Sequence, residues 1–239
     1  MTTEQTTRED LAAVYRLLAH FGMDDLIHTH ASARLPGEPD KLLINRYGDL
    51  FREVRPDRLV VIDHQGQLAR GEQVPLNSAG LVIHTAIHTA RPEVACVIHT
   101  HTTAGVAVSS LEEGLLPLNQ VALMFYGRVG YHAFEGIALD WDEQGRLKDD
   151  LGDKSALILR NHGLLTVGRS VAEAFSLMYN LEQACRIQVA AMSTGSPLRL
   201  PPEAVRQRTV DQFMADPDGA DELEWSALRR LADMAYAAR

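Results

Sequence analysis

The sequence is poor in features that mark several protein classes. Only 2 of its 239 residues are cysteine and only 6% are aromatic. No apolar run reaches the about 20 residues that a membrane-spanning helix needs. Cys96 and Cys185 lie in apolar segments and form no CxxC pair, so we interpret them as buried reduced thiols. With a polar, acidic start that is unlike a targeting segment, these absences favour a soluble cytoplasmic protein.

Blocks of like charge are absent as well. The 23 basic and 32 acidic residues give a net charge of −9 and are spread along the chain. A nucleic acid or an anionic membrane is bound through basic patches, so we expect neither as a partner. No Pro/Gly/Ser-rich linker divides the chain, and 46% apolar residues suffice for a core. We therefore predict a single domain over residues 1–239.

Hydrophobic periodicity predicts helices that alternate with short strands. Thr7 is the expected cap of the first helix and Gly22 its end, whereas Ser170 is the expected cap of a long helix to about residue 191. The two helices of the tail are expected to pack on the domain or on a neighbouring subunit. The other predicted helices cover about 79–90, 102–110, 115–125, 202–215 and 221–237. Short apolar runs predict strands at 42–44, 59–62, 94–98, 156–159 and 164–167, with a hairpin turn at 64–67.

Ten histidines are present, and two of them directly follow the apolar run 94–98. On an extended backbone His99 and His101 project to the same face and can reach one metal ion. His162, beside Gly163 in a turn after another strand, is a candidate third ligand. Three neutral imidazoles and an open position are typical of a catalytic metal site. Spacing alone leaves open whether the pair binds metal and whether His162 joins it.

Two other histidine pairs are candidates for different roles. His84 and His88 stand four residues apart on one helix face, but Thr85 replaces the glutamate of the zinc-protease pattern. We expect both to be neutral hydrogen-bonding groups of the core edge or pocket. His28 and His30 are placed in a loop, where contact with substrate is favoured over a second metal.

Two segments resemble the metal motifs of the class II aldolase/adducin family. These are PEVACVIHTH at 92–101 and LILRNHGL at 157–164. The segments GLLP at 114–117 and YHAFEG at 131–136 are similar to the adducin-like bacterial branch, and the similarity extends over about residues 8–195. The resemblance implies a three-layer α/β/α sandwich around a mixed, mainly antiparallel sheet, and a homotetramer with its active site near a subunit interface. It also implies a divalent metal, with zinc favoured over manganese or iron, on His99, His101 and His162.

The chain departs from the sugar-phosphate aldolases of this family at the segment that precedes helix 79–90. A glutamate that serves there as ligand and proton shuttle is replaced by Gly80. Ser78 of the phosphate cradle is retained, but Ala79, His30 and Tyr47 replace polar residues. A phosphate dianion would be poorly paired here, so we do not expect a sugar-phosphate substrate.

The hypothesis that fits these departures is a metal-dependent carbon–carbon lyase, either a decarboxylase or a retro-aldolase. Its substrate would be a small keto, hydroxy or aromatic carboxylate. An oxygen bound to the metal could accept the electron pair that bond cleavage leaves, and loss of CO2 needs no base to start it. Two alternatives stay open: a non-haem iron oxygenase and a non-catalytic adducin-like oligomerisation module. The candidate substrate-binding residues are His30, Tyr47, Ser78 and His84. The candidate proton donors are Tyr131, His132 and Tyr126, and Arg34 and Arg160 are candidates for anion contacts or structural ion pairs.

Overall fold

A computed structural model describes residues 2–71, 73–215 and 221–237, and these form one eight-stranded sheet covered by helices. The strands lie side by side in the order β4-β3-β2-β1-β5-β8-β7-β6. Only β6 and β7 are parallel neighbours, so the sheet is mixed and mainly antiparallel, as predicted. The strands are β1 (His30–Leu35), β2 (Glu38–Ile44), β3 (Val60–Asp63), β4 (Leu68–Arg70), β5 (Cys96–Thr100), β6 (Val129–His132), β7 (Ala156–Leu159) and β8 (Gly163–Gly168).

Helices cover both faces of this sheet, which confirms the predicted three-layer sandwich. Leu11 of α1, Phe175 of α6 and Ala232 of α8 belong to the apolar cluster on one face. Ile83 of α2 and Leu147 of α5 belong to the cluster on the other face. The helices are α1 (Glu4–His20), α2 (Ser78–Ala90), α3 (Thr103–Ser109), α4 (Gln120–Leu123), α5 (Glu143–Leu151), α6 (Val171–Ser193), α7 (Glu203–Met214) and α8 (Asp221–Ala237).

The central strands are buried on both faces because helices lie above and below them. Every residue of β5, β7 and β8 is buried. In β5 the side chains alternate: Cys96 and Ile98 join the cluster under α1 and α6, whereas Val97 joins the cluster under α2 and α5. His99 therefore lies on the α2 side of the sheet.

Several predicted boundaries are wrong for identifiable reasons. The cap of α1 is Thr3, whose side chain accepts from the backbone N–H of Thr6; Thr7 lies buried inside the helix. The strand predicted at 94–98 is β5, which reaches Thr100, so His99 lies within the strand rather than after it. The loop expected around His30 is instead the start of β1.

The segment between α3 and β7 differs most from the prediction. The helix predicted at 115–125 is reduced to the four residues of α4, because Asn119 caps a helix only from residue 120 onward. Strand β6 and helix α5 were not predicted. Strand β6 is short and half-exposed, and α5 is rich in charge, so neither shows a clear apolar period.

The last helix packs on the first. Asp10 of α1 accepts hydrogen bonds from Arg229 Nη1 at 2.5 Å and from Trp225 Nε1 at 3.3 Å, and Leu228 packs against the core. The tail therefore covers its own chain, at least through α8. Among the described residues, no helix is both long enough and apolar enough to span a membrane.

Candidate metal centre

Three histidines from two distant segments of the chain converge at one end of the central strands. The Nε2 atom of His101 lies 2.9 Å from Nε2 of His99 and 2.9 Å from Nε2 of His162. All three ligand atoms lie within 4.8 Å of one another. Nitrogens that bind one tetrahedral zinc at about 2.0–2.1 Å would be about 3.3 Å apart. The cluster therefore has the size of a metal-ligand set.

The local backbone explains how His162 reaches the other two rings. Asn161 has φ +55°, in the left-handed region that asparagine tolerates better than most residues, and its N–H donates to the Ser109 carbonyl. Gly163 passes so close to β5 that a Cβ would lie 2.4 Å from the Thr100 oxygen. His162 is thus brought against β5 because Asn161 adopts a left-handed conformation and Gly163 has no side chain to collide with the strand.

The outer nitrogens of two rings are already engaged. Nδ1 of His99 lies 2.9 Å from the Leu164 carbonyl oxygen, and Nδ1 of His101 lies 3.0 Å from Oδ2 of Asp25. A carbonyl or carboxylate oxygen accepts, so each Nδ1 carries the proton and each Nε2 presents its lone pair. Asp25 was missed by sequence reasoning, since nothing in its local sequence indicates that it contacts a residue so distant in the chain.

The environment favours the neutral, metal-binding state of the His99 and His162 rings. Burial, and then the neighbouring His162, lowers the pKa of His99 well below its usual value. Burial, and then the neighbouring His101, lowers the pKa of His162 to about 4. Three imidazole nitrogens form a donor set that fits a borderline divalent metal such as zinc or iron.

Removing the outer partner of His101 should weaken metal binding without removing a ligand. Asp25→Ala is expected to lower zinc affinity about 10–100-fold, because the carboxylate fixes the ring and raises its basicity. Competition with a chromophoric zinc chelator measures the change. Asp24→Ala removes the same charge one residue away and is expected to keep the affinity. Equal losses in both variants would show that only general electrostatics matters.

Position 80, where the resemblance implies a glutamate, is filled from the side by His30. A Cβ at Gly80 would lie 2.6 Å from Cδ2 and 2.8 Å from Nε2 of the His30 ring. This ring is buried and tilted against His99, with ring centroids 5.3 Å apart. The imidazole therefore occupies the space that a larger side chain at position 80 would need.

His30 is also hydrogen-bonded into the protein interior. Its Nδ1 lies 2.8 Å from Nε2 of His84, and Nδ1 of His84 lies 2.5 Å from Oγ of Ser32. The same Oγ lies 2.9 Å from Nε2 of His88. Both α2 histidines are thus buried hydrogen-bonding groups. Both ring nitrogens of His84, a predicted substrate-binding residue, are engaged within the protein.

The buried neutral state of His84 predicts a loss of stability in acid. Burial, and then the neighbouring His88, lowers the pKa of His84 to about 3 in the folded protein. Between that value and about 6.5 the unfolded chain binds a proton that the folded chain does not, so stability falls as pH falls. From pH 7.5 to 5 this residue should cost about 2 kcal/mol.

Chemical denaturation of the metal-free protein at both pH values tests this cost. His84→Gln should be less stable than the parent protein at either pH because packing is lost. Its free energy of unfolding should, however, fall by about 2 kcal/mol less than that of the parent protein between pH 7.5 and pH 5. An unchanged difference between the two pH values would mean that His84 protonates in the folded protein.

The predicted proton donors on β6 are engaged in structural contacts. Nδ1 of His132 lies 2.7 Å from Oδ2 of Asp150, and its Nε2 lies 3.2 Å from Oε1 of Glu143. Both ring nitrogens thus face carboxylates. The hydroxyl of Tyr131 accepts from the Leu115 N–H at 3.0 Å. This geometry favours a structural role for both, and neither enters our proposal for the site.

The other predicted residues lie around the site or away from it. Ser78 is the exposed first residue of α2, and the backbone N–H of Tyr47 donates to the Pro75 carbonyl, which ties two loops near that helix. The remaining candidates hold the fold together: Arg34 and Arg160 donate to backbone carbonyls, and the Tyr126 hydroxyl donates to Glu203.

The fold is thus a layered α/β sandwich with a three-histidine cluster that could hold a metal ion. The sequence matches the family model for the class II aldolase and adducin N-terminal domain over residues 9–189. The chain therefore belongs to the class II aldolase/adducin family, which confirms the resemblance.

Relatives from three branches illustrate the range of this family. An aldolase II superfamily protein from Pseudomonas syringae has a TM-score of 0.93 and 46% identity, covering 98% of this chain and 94% of that one. An L-fuculose 1-phosphate aldolase from Glaciozyma antarctica has a TM-score of 0.84 and 29% identity, covering 97% and 90%. Rat α-adducin is 44% identical over 198 residues, which are 81% of this chain and 27% of adducin.

Proposed function

We propose that the chain is a divalent-metal-dependent carbon–carbon lyase that decarboxylates, or cleaves by retro-aldol chemistry, a small keto, hydroxy or aromatic carboxylate. The observation that carries this proposal is the pairing of a three-histidine cluster with a glycine at position 80. The cluster offers ligands without cancelling the charge of the ion, and position 80 offers no carboxylate base.

The donor set decides what the site can do. A bound divalent ion supplies a Lewis acid that polarises a carbonyl or carboxylate oxygen and stabilises negative charge developing beside it. His99, His101 and His162 would hold it, with zinc favoured over manganese or iron. Loss of CO2 needs an electron sink and a later proton, but no base to begin it. The absence of a carboxylate at Gly80 is compatible with this reaction.

Sugar phosphates are disfavoured as substrates, although the Glaciozyma relative is named for one. At Ala79 and Gly80 this chain has no side-chain donor, and His30 fills the adjoining space. A phosphate dianion needs several hydrogen-bond donors to replace its hydration. The substrate we propose carries a carboxylate rather than a phosphate.

A substrate screen with defined metal content tests the proposal. The protein is stripped of metal, reloaded separately with zinc, manganese or iron, and incubated with panels of keto, hydroxy and aromatic acids. We expect one panel to release CO2 or an aldehyde, and we expect this release to stop when the metal is removed by a chelator. Turnover of sugar phosphates alone, or no turnover with any metal, would contradict the proposal.

Two alternatives have distinct signals. The 44% identity to α-adducin favours a non-catalytic oligomerisation module, which predicts assembly without turnover. A three-histidine set also suits iron, so oxygen consumption by the iron-loaded protein would indicate an oxygenase. A homotetramer is part of our proposal, and light scattering of the purified protein measures it.

A further inference from the structure

A row of polar side chains lies buried between β1 and α2, and we call it the histidine ladder. It consists of His30, Ser32 and Arg34 from β1 and of His84 and His88 from α2. Two residues of strand advance about 6.6 Å, and four residues of helix advance about 6 Å. The two spacings match, so the two helix histidines alternate with the three strand side chains, and Ser32 contacts both histidines.

The direction of the hydrogen bonds along the histidine ladder is set at Arg34. Nη2 of Arg34 donates to the carbonyls of His88 at 2.6 Å and Arg91 at 3.2 Å, and it also lies 3.3 Å from Nδ1 of His88. A guanidinium only donates, so Nδ1 is the acceptor in this third, longer contact. The proton of neutral His88 is then on Nε2 and is donated to Ser32. The Ser32 hydroxyl in turn donates to Nδ1 of His84.

The same logic continues to the metal centre. With Nδ1 of His84 accepting, its Nε2–H donates to Nδ1 of His30. The proton of neutral His30 is therefore on Nε2, the atom that lies 2.8 Å from the Cβ position of residue 80. Burial lowers the pKa of His30, His84 and His88, which agrees with three neutral rings.

We propose that the histidine ladder fixes His30 as a hydrogen-bond donor at Nε2, which binds an acceptor oxygen of the substrate beside the metal. This inference rests on the proposed function for the nature of the ligand, but the proton position does not depend on it. His30 is then a substrate-binding residue, and Ser32, Arg34, His84 and His88 are positioning residues. A carboxylate or carbonyl oxygen fits such a donor.

The opposite direction would give His30 another role. If Nδ1 of His30 carried the proton, the lone pair on Nε2 would face outward and could serve as a fourth metal ligand in place of the missing glutamate. A fourth ligand would have to join the group of ligand atoms that lie within 4.8 Å of one another. Among the described residues this group contains His99, His101 and His162 but not His30.

Neutron diffraction from deuterium-exchanged crystals of the full chain observes these protons directly. We expect deuterium on Nε2 of His30, His84 and His88 in both metal-free and zinc-loaded crystals. Deuterium on Nδ1 of His30 would overturn the proposal. The position of the deuterium does not depend on turnover, so a failed substrate screen would not affect this test. Deuterium on Nδ1 of His30 would likewise not refute the proposed lyase activity.

Two variants separate hydrogen-bond direction from packing. Arg34→Lys keeps a donor beside His88 and should keep the deuterium positions. Ser32→Ala removes the hydroxyl that donates to His84 and should divide the deuterium of His84 and His30 between their two nitrogens. If the deuterium of His84 and His30 stays on Nε2 alone in Ser32→Ala, the histidine ladder does not determine the proton position of His30.

Ligand binding provides the last test, with oxalate as a probe whose oxygens can only accept when ionised. His30→Phe keeps a ring of similar size without the donor, and oxalate affinity of the zinc-loaded protein should fall about tenfold or more by calorimetry. Zinc content should stay at the parent value. Loss of zinc in this variant, or unchanged oxalate affinity, would overturn the role of His30.

Discussion

Replacing His101 by alanine is expected to remove the bound metal almost completely. The ring supplies the central nitrogen of the triad, 2.9 Å from each of the other two. Losing an outer partner of a ligand costs about 10–100-fold in affinity, so losing the ligand itself should cost more than about 100-fold. Elemental analysis by mass spectrometry of protein purified without added metal, before and after zinc addition, measures the loss.

The choice of His101 keeps the result interpretable. Its side chain is partly exposed, whereas His99 is buried in the centre of the sheet and its removal would also create a cavity. His28→Ala, in the exposed position of the other His-x-His pair, is the matched control and should retain one metal per chain. Full metal content in His101→Ala, with an unchanged melting curve, would contradict the assignment.

The second large effect is expected at Gly163, where the two metal-binding segments touch. A Cβ there would lie 2.4 Å from the backbone oxygen of Thr100 and 3.1 Å from the ring of His101. Backbone of a central strand has little room to move, so Gly163→Ala should lower the free energy of unfolding by about 3 kcal/mol. The same displacement would separate His162 from its neighbours, so metal affinity should fall as well.

Gly145 in α5 provides the contrast. Apart from its chain neighbours and its own helix backbone, no atom of the described residues lies within 4 Å of a Cβ added there, and the residue is exposed within a helix. Gly145→Ala should stabilise the protein by about 0.5–1 kcal/mol, because alanine loses less backbone entropy in a helix. Urea denaturation measures both variants. A Gly163→Ala protein as stable as its parent would show that the two strands separate easily.

Much of the architecture could be predicted because local patterns carry it. The apolar run that forms β5 and the long helical period of α6 are visible in the sequence, and Ser170 caps α6 as predicted. The triad was a different kind of prediction. Spacing alone brought His99 and His101 together, and only the family resemblance joined His162 to them.

The parts that were missed depend on contacts between distant segments. Strand β1 alternates between polar and apolar residues, but His30 and Ser32 on its polar face are buried rather than exposed to solvent. Their partners lie on α2, which is more than fifty residues later in the chain. No local pattern can indicate such a pairing, and the same is true of Asp25 beside His101.

The predicted proton donors on β6 show that a chemically suitable residue can have a structural role instead. His132 is chemically suited to donate a proton, and the sequence alone gave no reason to exclude it. In the structure Asp150 and Glu143 face its two ring nitrogens. Function cannot be assigned from residue type until the partners of each ring nitrogen are known.

The most direct test of the three-histidine site is anomalous diffraction from crystals grown with zinc. Data collected on both sides of the zinc absorption edge should give one strong peak per chain. We predict its position at about 2.0–2.1 Å from Nε2 of His99, His101 and His162. No peak among these rings, or a peak bound by other residues, would contradict the account.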